Sequence, residues 1–254
     1  MNKKGILVPC WRRPKACAPM GITGQKYNST SIYSLSHLIF PTVCQGCGYP
    51  IHSADDVLCL GCFYSLPRTH FHRVIHNPIE QKFWGRIPVE RAFSFLHFER
   101  GNLTRTLLHA LKYHGKQGIG ESLGRMFGRE LREWGFTGPD YILPLPLHKN
   151  KLRSRGYNQC DSIAQGMSVS LGIPVGKNLV ERVIANPTQT KKGRYERWEN
   201  VKQIFEARKP AVMRGKHILL IDDVITTGST MEACGHAVLF GGAAKVSMAS
   251  IASA

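Results

Sequence analysis

The sequence predicts an α/β protein in which helices cover both faces of a mostly parallel sheet, preceded by a small four-cysteine module. Strand-like segments that are apolar throughout alternate with segments of helical periodicity, as in sheets that are covered on both faces. Four of the eight cysteines form two Cys-x-x-Cys pairs ahead of these segments. A length of 254 residues is enough for one such domain and a small appendage.

The composition is that of a globular protein with excess positive charge. Hydrophobic residues make up 43% and charged residues 20%, which favours a packed core over disorder. Lys and Arg outnumber Asp and Glu by 34 to 17, and such an excess is typical of contact with phosphate on nucleic acid or on small ligands. A basic protein without such a partner is the alternative. No apolar run of eighteen or more residues occurs and no signal-peptide core is present, so we expect no membrane span and a cytoplasmic location.

Three segments are predicted along the chain. Residues 1–37 show no sustained period and are interpreted as a flexible extension, or as sequence upstream of the true start codon. Residues 38–68 hold the cysteine module, and residues 69–254 form the α/β domain. Strands are expected at Arg91–Phe98, Tyr141–Leu147, Ile218–Ile221 and Lys245–Ile251. Helices are expected at Leu103–Tyr113, Gly120–Trp134, Asp161–Leu171 and Ser229–Phe240.

The segment from Ile218 to Thr230 is the most informative for function. Four aliphatic residues predict a central strand, and Asp222 and Asp223 follow at its carboxyl end, where open α/β sheets bind ligands. The next turn offers hydroxyls, backbone N–H groups and a helix N-terminus, which suit a phosphate dianion. Gly228 allows an unusual backbone angle in that turn.

The two carboxylates would repel a phosphate and therefore need another partner. Ionised carboxylates accept hydrogen bonds from vicinal sugar hydroxyls, so the segment predicts a site for ribose 5-phosphate. The alternative is a strand followed by a Ser/Thr-capped helix with solvated acids.

Two cationic segments precede this site in the sequence. A basic loop follows the strand at Tyr141, and its Lys149, Arg153 and Arg155 are candidates for binding pyrophosphate; a solvated loop is the alternative. The segment Arg182–Asn200 has no firm period, and its part Asn186–Asn200 is cationic and rich in breakers. Such a stretch is typical of a lid that closes over a reactive site, or of a surface excursion. The candidate lid contacts are Gln189, Arg194 and Arg197.

The cysteine pairs predict a structural zinc site. Cys44-x2-Cys47 and Cys59-x2-Cys62 form two knuckles whose four thiolates fill a tetrahedral coordination sphere. An iron–sulfur cluster and ordinary buried thiols are the alternatives. His52 is interpreted as a turn histidine or as a spare ligand.

Together these motifs resemble the ComF family of competence-associated proteins. The resemblance covers residues 38 to 252 and rests on motifs that occur in the order of that family. These are the two cysteine pairs, Leu111-Lys-Tyr-x-Gly115, the Pro-x-Pro strand, Arg153-x-Arg-Gly-Tyr-Asn-Gln159, Gln189 with Arg194 and Asn200, and the aspartate segment. The aspartate segment also resembles the signature of type I phosphoribosyltransferases, which bind phosphoribosyl pyrophosphate (PRPP).

The resemblance implies a PRPP site and a set of functions. Asp222 and Asp223 would be the catalytic pair on the ribose hydroxyls, and Mg²⁺ would ride on the pyrophosphate. The implied PRPP-binding set is Asp222, Asp223, Val224, Thr226, Thr227, Gly228, Ser229, Thr230, Lys149, Arg153 and Arg155.

Three functions stay open at this point. They are a phosphoribosyltransferase of unknown acceptor, a PRPP sensor without turnover, and a DNA-handling protein of natural transformation that works with other competence proteins. In the last case Tyr157, Tyr195 and Trp198 would stack on the bases of single-stranded DNA; core or loop-anchoring positions are the alternative for these aromatics. No residue is indicated as the base for an incoming acceptor.

Overall fold

A computed structural model of the chain describes residues 42–51, 57–184 and 204–254. Its main sheet is built from β1 (Ala92–His97), β2 (Tyr141–Pro144), β5 (His217–Ile225) and β6 (Lys245–Ser253). All pairs in this sheet are parallel, and the strand order is β1-β6-β5-β2. A separate antiparallel ribbon pairs β3 (Val180–Arg182) with β4 (Phe205–Ala207). The parallel sheet predicted from the apolar strands is confirmed.

Apart from two short helices that precede β1, the helices lie between strands along the chain, as expected for parallel crossovers. They are α1 (Leu60–Tyr64), α2 (Pro78–Gln81), α3 (Leu103–Tyr113), α4 (Gln117–Glu133), α5 (Lys149–Arg155), α6 (Gln159–Leu171), α7 (Pro210–Met213) and α8 (Ser229–Phe240), with a 3₁₀ turn at Phe71–Arg73. The predicted bounds of α3 and α8 match the structure, whereas α4 and α6 begin earlier than predicted. Within the described part of the chain, every helix falls short of the length and apolar character that a membrane span requires.

The sheet is covered on both faces, which explains its continuous apolar strands. Successive side chains of β5 enter opposite cores: Leu219 and Ile221 lie in the core under α3, α4 and α6. Ile218 and Leu220 lie in the core on the other face, together with residues of α8. Because each face is buried, a strand that alternated apolar and polar residues would place polar groups in one core.

Helices α4 and α6 pack with their backbones in contact at two glycines. A Cβ atom at Gly124 would lie 2.2 Å from the carbonyl oxygen of Ile163, and one at Gly166 would lie 2.1 Å from that of Glu121. Glycine in a helix interior costs about 1 kcal/mol relative to alanine. Here the close approach of the two helices offsets that penalty.

Two predicted features need correction. Strand β5 continues to Ile225 rather than ending at Ile221, because Asp222 and Val224 pair in register with Ser250 and Ala252 of β6. The two acids therefore lie inside the last part of the strand and not beyond it.

The predicted basic loop contains helix α5. The His148 side chain begins this helix by accepting a hydrogen bond from the N–H of Asn150 at 3.2 Å, and Gly156 ends it with φ of 80°. Local capping therefore determined a helix where the charge pattern indicated an irregular segment.

The ribbon of β3 and β4 brackets the predicted lid but was not itself predicted. The lid candidates Gln189, Arg194 and Arg197 lie outside the described residues, as do Tyr195, Trp198, His52 and residues 1–41.

Candidate functional site

The candidate site lies where β5 ends and the chain turns into α8. Asp222 is half-buried there, and its Oδ1 accepts hydrogen bonds from the backbone N–H of Asp223 at 2.7 Å and from Cys160 Sγ at 3.5 Å. Burial, and next the negative charge of Asp223, raise the pKa of Asp222 to about 7. At neutral pH this carboxyl group is therefore present in both its protonated and its ionised form.

Asp223 leaves the strand on the opposite face and has a different partner. Consecutive side chains of a strand alternate between faces, and Asp223 Oδ2 lies 2.9 Å from Lys112 Nζ in the last turn of α3. Asp223 is 5% exposed. The Lys112 ammonium thus balances one charge of the acid pair, a contact that the sequence did not predict although Lys112 belongs to the Leu111–Gly115 motif.

The turn from Thr226 to Thr230, here called the phosphate turn, exposes its hydroxyl side chains to solvent. Gly228 adopts φ of 77° immediately before α8 begins, a conformation that glycine adopts most readily. Thr227 Oγ1 and Ser229 Oγ lie 3.1 Å apart, and the other hydroxyl side chains of the turn are also exposed. The turn therefore presents hydroxyls together with the amino end of a twelve-residue helix, a combination that suits an anion.

Two cations that the sequence did not indicate contact this turn. Lys82 Nζ donates to the Thr226 carbonyl at 2.8 Å, and Arg86 donates to the Thr227 carbonyl at 2.9 Å. The two residues are about 140 positions away in the chain, at separations of 144 and 141. No local pattern could have placed them here, because only the packing of the segment after α2 brings them to the turn.

The predicted pyrophosphate cations do not all lie together. Lys149 pairs with Glu181 of β3 at 2.8 Å and stays largely exposed. Arg155 donates to Gln159 Oε1 at 2.6 Å and lies over the ring of Tyr113, 5.6 Å from its centre. Arg153 is exposed, and no hydrogen bond or ion pair joins its side chain to another described residue.

Arg155 lines a cavity next to the Lys112 side of the acid pair. The cavity has a volume of about 490 Å³, and its cationic lining residues are Lys112, Lys151 and Arg155. The Tyr157 hydroxyl, which belongs to another lining residue, is buried without a hydrogen-bond partner among the described residues. None of the described lining residues is acidic. The cavity is therefore a candidate for a second anionic group.

Helix α3 borders a further cationic surface, here called the α3 surface and formed by Gln45, Arg105, His109, His114 and Lys116. These residues line a cavity of about 540 Å³. The His109 ring lies 5.5 Å from that of His114, and Lys116 Nζ donates to Gln45 Oε1 at 2.6 Å. This contact links the cysteine module to the start of α4.

The four predicted ligand cysteines form one cluster. The sulfur atoms of Cys44, Cys47, Cys59 and Cys62 all lie within 4.8 Å of one another. Backbone N–H groups point at sulfur, as in metal-binding knuckles: that of Cys59 lies 3.2 Å from Cys44 Sγ, and that of Gly46 lies 3.4 Å from it.

The charges of these thiols fit a bound cation. Burial works against ionisation of Cys44, but backbone N–H donors, led by that of Cys59, lower its pKa to about 7. Burial, followed by the neighbouring thiols, raises the pKa of Cys62 above its usual range. Four thiolates so close together would repel one another, and a divalent ion that shares them removes this repulsion.

A second group of ligand-type side chains is already occupied by arginine. His70, His72 and Glu130 have ligand atoms within 4.8 Å of one another. Arg68 Nε lies 2.7 Å from Glu130 Oε1, and Arg73 Nε donates to His72 Nε2 at 3.3 Å. These guanidinium groups supply the positive charge that a metal ion would bring.

Comparison with known proteins finds a family match that covers the candidate site. A family model described as "Phosphoribosyl transferase domain" matches residues 162–254, which include β5, the phosphate turn, α8 and β6. The DNA utilization protein YhgH of Escherichia coli K12 is 30% identical over 80% of this chain and 87% of its own length.

Competence proteins match over shorter stretches. Competence protein F of Haemophilus influenzae is 34% identical over 50% of this chain and 57% of its own. Competence protein ComFC of Bacillus subtilis is 34% identical over 42% of this chain and 41% of its own length. Among solved structures, glutamine PRPP amidotransferase from B. subtilis has a TM-score of 0.40 and 18% identity, over 55% of this chain and 29% of that one.

Proposed function

Since the chain belongs to the ComF family, we propose that it binds PRPP at the carboxyl end of β5. The observation that supports this most is the acid pair beside an exposed, hydroxyl-lined turn at the start of α8. The turn would hold the 5-phosphate through backbone N–H groups and hydroxyls. Asp222 and Asp223 would accept hydrogen bonds from the ribose hydroxyls, and Asp223 would then share or release Lys112.

The cavity lined by Lys112, Lys151 and Arg155 is the proposed site of the pyrophosphate group. Three cations and no described acid line it, which suits a polyanion. The Tyr157 hydroxyl, buried without a partner among the described residues, would donate to a phosphate oxygen. Magnesium bound to the pyrophosphate would supply further positive charge when PRPP binds.

The proposed reaction is transfer of the ribose 5-phosphate group. The bond between the anomeric carbon and pyrophosphate breaks, a nucleophilic atom of the acceptor forms the new bond, and the acceptor loses a proton. Cationic side chains would stabilise the leaving charge. Release of pyrophosphate in the presence of an acceptor separates this enzyme from a PRPP sensor on the same pocket.

We propose zinc as the ion of the cysteine cluster, in a structural role. Four thiolates complete a tetrahedral sphere and leave no position for a substrate. We also propose a cytoplasmic location, which paired cysteines that serve as metal ligands support because thiols stay reduced in that compartment.

Binding of single-stranded DNA is a second candidate function. The α3 surface combines cations with clustered aromatic rings, since His109 lies 4.8 Å from Tyr113 and 5.5 Å from His114. Cations that track a backbone next to stacking rings are typical of single-strand sites. Relatives named for DNA utilization and competence support this role; other competence proteins are the proposed partners.

Calorimetric titration with PRPP and Mg²⁺ tests the main proposal. We expect the unmodified protein to bind and the Asp222→Asn/Asp223→Asn variant to lose at least about tenfold in affinity, because it loses charged hydrogen-bond acceptors. Asp140→Asn is the matched control. Asp140 lies outside the phosphate turn, and its Oδ1 pairs with Lys216 Nζ at a distance of 3.0 Å. If the unmodified protein gives neither heat nor a thermal shift, the proposal is wrong.

A further inference from the structure

The phosphate turn is gripped from outside by two side chains of the segment after α2. Lys82 Nζ donates to the carbonyl oxygen of Thr226 at 2.8 Å. Arg86 Nη1 donates to the carbonyl of Thr227 at 2.9 Å, and its Nη2 lies 3.2 Å from Ser229 Oγ. We call Lys82 and Arg86 the clamp. Its two cations bind two successive peptide groups of the turn.

These contacts determine where the N–H groups of the turn point. A trans peptide is planar, and its N–H points away from its C=O. With the Thr226 carbonyl turned towards Lys82, the N–H of Thr227 faces away from the clamp. The N–H of Gly228 likewise faces away from Arg86. Both donors are therefore directed to the side of the turn that is left for a ligand.

Arg86 also balances an acid that would oppose phosphate binding. Glu232 lies in the first turn of α8 and forms an ion pair with Arg86. The Glu232 side chain is 18% exposed and that of Arg86 is 32% exposed, so the pair is only partly screened by water. Without Arg86, a carboxylate would face a phosphate dianion at the amino end of the helix.

A buried aromatic residue holds the clamp in place. Phe83 lies between the two cations in the sequence and is fully buried. Its ring packs on Gly228 so closely that a Cβ atom there would lie 2.9 Å from Phe83 Cε1. The position of the clamp relative to the turn is thus set by core packing as well as by hydrogen bonds.

We propose that Lys82 and Arg86 are positioning residues of the 5-phosphate site: they aim the N–H groups of the turn at the ligand, and Arg86 neutralises Glu232. The inference rests on the proposed function and adds to it the residues that decide affinity for the phosphoribosyl end of the ligand. Pyrophosphate, which would bind at the other cavity, should not depend on the clamp.

The test compares two probes, ribose 5-phosphate and pyrophosphate with Mg²⁺, by calorimetry. We expect Arg86→Gln to weaken the binding of ribose 5-phosphate by about tenfold, because a charge-balancing, hydrogen-bonded group is lost. The affinity for pyrophosphate should change by less than about twofold. Adding Glu232→Gln to that variant should raise its affinity for ribose 5-phosphate again by about threefold or more, since the uncompensated carboxylate is gone. Arg132→Gln, on the exposed side of α4, removes the same charge elsewhere and should change neither probe.

Each outcome decides the matter. Equal weakening of both probes, or no rescue by Glu232→Gln, would overturn the inference, because a general loss of structure acts on both ligands. If Arg86→Gln does not fold, Lys82→Met takes its place and is expected to weaken ribose 5-phosphate by about threefold or more, again without an effect on pyrophosphate. If the unmodified protein binds pyrophosphate but not ribose 5-phosphate or PRPP, the proposed function itself fails.

Discussion

At the scale of single residues, the two neighbouring acids of β5 have been given different electrostatic surroundings. Asp223 is paired with Lys112, whereas Asp222 is held by a thiol and a backbone N–H and has its pKa raised to about 7, chiefly by burial. Burial makes this carboxyl group costly to ionise, and the charge of Lys112 offsets that cost only in part. Such a group is typical of ligand-binding sites, where stability is exchanged for affinity.

The raised pKa of Asp222 makes a prediction about stability. Its folded pKa of about 7 exceeds the ordinary value of 3.8, so the folded state binds this proton more tightly than the unfolded state does. The ionised form then destabilises the fold, fully above pH 7 and not at all below about pH 4. We expect Asp222→Asn to raise the free energy of unfolding at pH 8 by about 1–3 kcal/mol, and with it the Tm. The same variant is expected to lose PRPP binding.

Thermal unfolding at pH 8 and pH 5 measures this effect. The gain from Asp222→Asn should shrink at pH 5, where the wild-type carboxyl is largely protonated. Asp140→Asn is the opposite control, because hydrogen bonds from His217 N–H and Lys216 lower the pKa of Asp140, and its loss should lower Tm at pH 8. A gain from Asp222→Asn that is equal at both pH values would contradict the assignment of the raised pKa.

At the scale of elements, two short segments ahead of the sheet make contacts that the site and the main core depend on. Helix α2 and the segment after it bring Lys82 and Arg86 to the phosphate turn. The cysteine module likewise belongs to the larger core, since Cys44 and Leu66 are buried in the same cluster as residues of α3 and β1. The stability of the module is therefore expected to influence the whole domain.

Metal removal tests this link. We expect about one zinc ion per chain, because four thiolates complete one tetrahedral site, and a Tm several degrees lower after chelation, since a structural zinc site contributes to folding. Cys59→Ser should lose the metal, whereas Cys234→Ala, at a buried thiol of the opposite core, should keep it. Iron in place of zinc would favour an iron–sulfur cluster. Full zinc content in Cys59→Ser would disprove the four-cysteine zinc site.

At the scale of the whole molecule, charge is the dominant property. The formal net charge is +17, and the described cations gather on several surfaces rather than one. The cavity near Lys112 and the α3 surface lie along the same helix. The two cavities share no described lining residue, but Tyr113 lines the one near Lys112 and its ring also contacts His109 of the α3 surface. A small phosphorylated ligand and a nucleic-acid strand would therefore meet at this side chain.

The salt dependence of binding to single-stranded DNA tests the second role. Each neutralised phosphate of a single strand contributes about 0.7 to the slope of log K against log salt. Arg105→Gln/Lys116→Gln should therefore lower the slope by about 1.4 and weaken binding at low salt. Arg129→Gln/Arg132→Gln, two exposed residues of α4, should change the slope less. Equal effects of the two double variants would mean that the α3 surface is not a specific site.

The sequence by itself determined the class of sheet, the helices α3 and α8, the cysteine cluster and the acid pair with its turn. In each case the signal is local: the apolar run before Asp222, the period of Leu107, Leu108 and Leu111, or the spacing of the cysteines. Local signals of this kind reflect burial and backbone propensity, which act over a few residues.

Only the tertiary structure decided which side chains meet at the site. The partners of the acids and the turn, Lys112, Cys160, Lys82 and Arg86, come from elements far apart in the chain, and no period or spacing relates them. The helix α5 was missed for a related reason, because a His148 cap and Gly156 outweigh a charge pattern that indicated a loop. Contacts between distant segments depend on how the cores pack, and packing is a property of the folded chain.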